Sequence, residues 1–166
     1  MSDGAGSADN QLVVKSTRFG ELVVPADSVI TIPSGLIGFP RHHTYVMIDH
    51  KPPFSWLHSV EDPNLAFVVV DGFQFGEKYN VAPPMGDQDS ELKEGDEYAI
   101  LVVVTVRPDP SQTTANLKAP VFVNIRTRRG LQVIFDDPRY STRFPLWEPG
   151  KEGEVATAGL TAPEKK

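Results

Sequence analysis

FSWLHSVEDPNLAFVVVD, residues 54–71, carries the reading of the fold. Phe54 to Val60 and Ala66 to Asp71 are rich in aromatic and β-branched residues, which suit a pleated, half-buried surface. Between them stands Glu61-Asp62-Pro63-Asn64, with Asp before Pro at the first corner, the residue order of a type I turn. The stretch predicts an antiparallel hairpin. Downstream, Tyr98 to Val106 is apolar on both parities, with Ile100, Val102 and Val104 on one and Leu101 and Val103 on the other. A strand that is apolar on both faces belongs in the middle of a core, not at an edge.

The same pattern continues on both sides. Residues 11–16 and 21–24 alternate around Thr17-Arg18-Phe19-Gly20 and predict an N-terminal hairpin. Residues 28–32 and 44–49 add two further β-branched runs. Val121 to Ile125 and Leu131 to Phe135 predict a third hairpin around Thr127-Arg128-Arg129-Gly130, with the glycine in the left-handed position. Only residues 86–97 leave room for a short helix, and Gly86 and Gly95 keep it short. Gly and Pro number 13 and 15 of 166 residues, and Pro is nearly double its usual share of about 5%. The expectation is an all-β fold, a small antiparallel β-barrel-like or sandwich domain of about nine short strands with little helix. It occupies residues 11–147. Residues 1–10 and 148–166 lack the apolar content to bury a face and are expected to be disordered tails.

Composition closes off several chemistries. With no cysteine, the chain has no disulfides, thiolate metal sites or cysteine nucleophile. His42, His43, His50 and His58 do not fall into a metal-ligand spacing, and the adjacent pair would point to opposite sides of an extended segment. No nucleophile elbow or phosphate-cradling glycine loop occurs. Glu61-Asp62 and Asp136-Asp137 each precede a proline, so turn-making accounts for them before acid–base chemistry does. No enzyme, metal or cofactor is expected. The start of the chain lacks the basic and apolar parts of a signal peptide, and the longest apolar run is Tyr98 to Val104, so a cytoplasmic location away from membranes is expected.

Charge says something about partners. The net charge of −6 argues against direct nucleic-acid binding, yet the signs segregate along the chain. Residues 77–97 hold seven acids against two lysines, and residues 118–143 hold six bases against two aspartates. The first stretch reads as a solvated acidic loop or a surface for a basic partner. Within the second, residues 126–143 with neighbouring aromatics leave an alternative open, a β-barrel that binds RNA or another single strand. Apolar side chains in a turn context are a separate signal. Leu36, Ile37 and Phe39 sit in the glycine-punctuated loop SGLIGFP, residues 34–40, where they either plug the end of the core or meet a partner. Phe39 precedes Pro40, which holds it extended, and this favours the contact role. Trp56 divides in the same way between core and contact.

Several of these stretches together resemble the FliW family of bacterial flagellar assembly factors: SGLIGFP (34–40), FSWLHSVEDPNLAFVVVD (54–71), TANLKAPVFVNIRTRRGLQVI (114–134) and YSTRFPL (140–146). The resemblance runs in order from about Val13 to Leu146. It implies a small non-enzymatic antiparallel β-protein. It also implies two partners: the carbon storage regulator CsrA, a dimeric RNA-binding repressor of flagellin translation, and newly made flagellin, which competes with it. The implied antagonism is allosteric, shifting CsrA toward a poor RNA binder. His58 stands where members often carry Gln, the His42-His43 pair is outside the pattern, and residues 76–97 fall in a variable segment. Within the matching motifs, Leu36, Ile37, Phe39, Trp56, His58, Asn116 and Arg143 are the expected protein-binding residues.

Overall fold

In the computed structural model, residues 10–51 and 53–146 are described. They form eleven strands: β1 Gln11–Ser16, β2 Gly20–Pro25, β3 Ile30–Thr31, β4 Thr44–Asp49, β5 Phe54–Ser59, β6 Ala66–Asp71, β7 Tyr98–Thr105, β8 Thr114–Ala115, β9 Val121–Asn124, β10 Gly130–Gln132 and β11 Phe144–Pro145. The hairpin expected at 54–71 is β5–β6, with Phe54 opposite Val70 and His58 opposite Ala66. Its turn is held by side chains. Ser59 Oγ accepts from the Glu61 and Asp62 amides at 3.1 and 3.0 Å, and Asp62 Oδ1 accepts from Asn64 N at 2.9 Å.

The strands form two antiparallel sheets. β1 and β2 make a ribbon, and the other nine run β10-β9-β7-β6-β5-β4-β3, with β8 pairing β7 and β11. The large sheet curls until Thr31 N donates to Arg128 O at 2.9 Å, but β3 and β10 do not pair as strands, so the fold is a curled open sheet and not a barrel. β7 lies between β6 and β9, as its apolar character on both parities required. Leu101 faces the inside of the curl with Tyr45, Leu57, Val69, Val121 and Val123. Ile100 and Val102 face outward, beneath Phe75, Tyr79, Leu92, Tyr140 and Phe144. There are two cores, one on each side of the sheet.

Two local expectations are corrected. Residues 86–97 form turns, and the helical turns lie instead at Ala26–Ser28, Gly72–Lys78 and Pro110–Gln112, all of the tight 3-10 kind. In the β9–β10 turn the left-handed residue is Arg128, with φ 59°, and not Gly130. Gly130 is needed for a different reason. A Cβ there would lie 2.7 Å from the Phe122 carbonyl oxygen, so only glycine lets β10 approach β9 this closely. The expectations for the two tails lie outside the described residues, apart from Asn10.

Candidate functional site

The β1–β2 ribbon folds over β5 and stands beside a surface groove. Thr17 N donates to Pro63 O at 3.0 Å, anchoring the ribbon's turn on the β5–β6 turn. Ser16 Oγ accepts from the amides of Arg18 and Phe19 and lies 2.9 Å from His58 Nε2. His58 Nδ1 is 2.7 Å from Ser59 O, which can only accept. A neutral ring with its proton on Nδ1, receiving the Ser16 hydroxyl proton at Nε2, satisfies every partner. His58 is 1% exposed, so it pins the ribbon to the sheet and offers nothing to a partner.

Beside that clasp stands Trp56, half-buried. Phe19 meets its ring edge-on at 5.7 Å between centroids, His50 approaches at 5.4 Å, and the Arg18 guanidinium lies 4.6 Å from the ring centre. Such an aromatic–guanidinium stack suits a protein-binding surface, where Trp and Arg carry much of the affinity. From Trp56 a groove of about 670 Å³ runs across Phe54 and Val68 to Val104 and Val106. A smaller cleft of about 380 Å³, between residues 86–93 and Arg126, is more polar. The Trp56 groove has the apolar walls and few polar groups typical of a binding site.

The loop at 34–40 divides its apolar residues. Leu36 is 3% exposed and belongs to the inner core, the plugging half of the expectation for this loop. Ile37 is 57% exposed, with its amide donating to Gln132 Oε1 at 2.7 Å. Phe39 is half-buried, edge-on to Phe67 at 5.3 Å. Gly35, at φ +70°, makes the loop possible, because a Cβ there would sit 2.5 Å from Phe39 O. Asn116 is half-buried. Its amide donates to Val103 O at 2.9 Å, and its Oδ1 accepts from Lys118 N at 3.1 Å. Arg143 is exposed in the turn that precedes β11, its amide donating to Ser141 Oγ. Of the other expected residues, His58 comes near Trp56, the two rings sharing Phe19. The groove itself is lined by Arg18, His50, Val68 and Val106 among others. Nothing local in the sequence marks Arg18, because its approach to Trp56 depends on a contact across 38 residues.

Arg126 and Arg129 of the basic stretch pair with Asp96 and Glu91 of the acidic one. Arg126 donates from Nε and Nη2 to the two oxygens of Asp96 at 3.1 and 2.9 Å. Those bonds, and then the Lys93 amide, hold the Asp96 carboxyl down at about 2. Arg129 donates to Asp89 O at 3.0 Å and lies 3.9 Å from Glu91. Arg128 donates to Ser28 O at 2.8 Å, and Arg139 pairs with Asp137 at 2.7 Å while lying over Tyr140. Four of the six bases in the stretch, Arg126, Arg128, Arg129 and Arg139, are thus engaged within the molecule. Glu61 and Asp62 are likewise structural. Glu61 accepts from the amides of His43 and Thr44, and Asp62 faces His42 at 3.7 Å. Burial, then the Glu61 charge, pushes the Tyr45 hydroxyl up to about 12. Among the described residues no group of three or more His, Asp or Glu could hold a metal ion. No helix of the described residues is long and apolar enough to cross a membrane.

Comparison with known proteins gives this surface its context. The family model for the FliW protein matches residues 13–146. The chain belongs to the FliW family. The flagellar assembly factor FliW of Geobacter sulfurreducens is 36% identical over 159 residues, spanning 87% of this chain and 99% of that one. That of Natranaerobius thermophilus is 38% identical over 138 residues, spanning 81% and 91%. A crystal structure of the flagellar assembly factor FliW superposes with a TM-score of 0.74 at 26% identity, covering 84% of this chain and 99% of its own. The FliW match takes in the groove, the 34–40 loop and the paired charges alike.

Proposed function

We propose that this flagellar assembly factor works in the cytoplasm, without catalysis, by binding two proteins in turn. It binds CsrA, shifts it toward a poor RNA binder and so relieves repression of flagellin translation. It also binds newly made flagellin, which competes for it. The observation that carries this reading is the FliW match over residues 13–146. Surface chemistry supports it. Exposed Glu77, Glu94 and Glu97 on a chain of net charge −6 suit an RNA-binding partner, and complementary charge raises the encounter rate. The apolar groove at Trp56 suits a segment of the other. Ile37 and Phe39 stand as further contacts, with Arg143 at the exposed end of the 140–146 motif.

The test is to mix the purified protein with CsrA and flagellin from the same organism and follow the complexes by size-exclusion chromatography. A CsrA complex that flagellin displaces is expected. The protein alone should not retard flagellin leader RNA at physiological salt, because its arginines at 126–129 and 139 are already engaged. RNA retardation by the protein alone, with no CsrA complex, would overturn the reading.

A further inference from the structure

β6 and β7 part company at one end. Their ladder runs from Asp71–Leu101 to Val68–Val104 and stops there, although β6 begins two residues earlier and β7 runs one further. Ala66 and Phe67 stay with β5, opposite His58 and Leu57. Thr105 goes with β8, opposite Thr114. The two strands therefore fork, and the Trp56 groove opens into the fork, with Ala66, Phe67, Thr105 and Val106 on its sides. Edges of this kind leave backbone donors and acceptors without a cross-strand partner and take up extended chain.

The groove's charge narrows the occupant. The chain has 22 acids against 16 bases, yet the only ionisable residues lining the groove are Arg18 and His50. Arg18 lies over Trp56 at the groove's head, where its guanidinium can fork onto a carboxylate. Val106, 56% exposed, supplies an apolar wall that no other part of the described chain covers.

We propose that the β6–β7 fork and the Trp56 groove bind an extended peptide segment of a partner protein. The segment adds its backbone to the forked strands, places alternate apolar side chains against Trp56, Val68 and Val106, and pairs a carboxylate with Arg18. This rests on the reading that the chain acts by binding proteins, and it specifies the chemistry of one bound segment.

The experiment selects peptides from a displayed library of random 12-residue sequences on the immobilised full-length protein. Enriched sequences should combine β-branched or aromatic residues at alternate positions with Asp or Glu, and should lack proline within that core. Synthetic copies should bind about tenfold or more weakly to Arg18→Glu and to Val106→Glu. Both positions are exposed, and each variant is accepted only with an unchanged melting temperature. Arg18→Glu should also come to prefer Lys in place of the peptide's acid. Basic or proline-rich winners, winners indifferent to both variants, or no enrichment would overturn the proposal. So would a dimer that Val106→Glu abolishes, because the groove would then belong to a second copy. CsrA binding by the wild-type protein is measured in parallel. A CsrA complex without peptide enrichment sinks the groove and leaves the functional reading standing. Peptide enrichment without a CsrA complex does the reverse.

Discussion

Val102 and Val106 stand four residues apart on one parity of β7 and its continuation, yet Val102 is 0% exposed and Val106 is 56% exposed. Over Val102 pass the segments that carry Phe75, Tyr79, Leu92 and Tyr140, and together they make the outer core. Toward Val106 the outer face has only the β1–β2 ribbon, which stops at Trp56 and leaves the groove. The side chains are the same. What differs is the chain laid across them, and that separates the part of the sheet that stabilises the fold from the part free to bind.

Substitutions at the two ends should therefore fail in different ways. The largest effect is expected from Phe122→Ala in the sealed region, where the side chain is 0% exposed. It should cost roughly 3–5 kcal/mol, read as a lower denaturant midpoint at unchanged slope, with normal partner binding by the protein that remains folded. Gly35→Ala attacks the loop that closes one end of the inner core. Its left-handed φ and the backbone oxygen 2.5 Å from the new Cβ should cost about 2–3 kcal/mol by the same measurement. Trp56→Ala belongs to the open end. Its stability cost should be smaller, about 1–2 kcal/mol for a half-buried ring, while affinity for the partner that occupies the groove falls by about tenfold or more. A Trp56→Ala protein that loses as much stability as Phe122→Ala and binds normally would erase the distinction between the ends.

The smallest effect concerns the ion pair that fastens the acidic stretch to the β9–β10 turn. The Asp96 carboxyl is lowered from 3.8 to about 2 in the folded state, first by Arg126 and then by the Lys93 amide. A lowered folded value means stability present above about pH 4 and lost as the pH falls through 2. Asp96→Asn should thus lie below wild type at neutral pH, with the gap closing between pH 4 and 2 in urea titrations. A gap that stays constant across that range would remove Asp96 as its source.

Much of the fold was legible because its signals are local. The Asp62-Pro63 turn, the two-sided apolar run of β7 and the turn at 17–20 each fix a hairpin or a layer from a few neighbouring residues. Short strands such as β3, β8 and β11, of two residues each, carry no periodicity to read, so eleven strands stood where about nine were expected. The open form of the sheet depends on where β3 meets the β9–β10 turn, nearly a hundred residues away. The site was less legible. Trp56 lies in the groove, but His58 is clasped on Ser16, and the Asn116 side chain accepts from the Lys118 amide. Leu36 fills the core from a loop whose punctuation looks like display. The two charge runs read separately because sequence order hides that Arg126 and Asp96 are partners.

Hydrogen exchange on the full-length protein, alone and then saturated with CsrA or with flagellin, tests the division of the outer face most directly. The expected result is that one partner slows exchange at residues 54–57, 66–68 and 103–106 by about tenfold or more, with 98–102 slow in every state. Protection confined to other surfaces in both complexes, with 103–106 exchanging as in the protein alone, would contradict the assignment of the open end to binding.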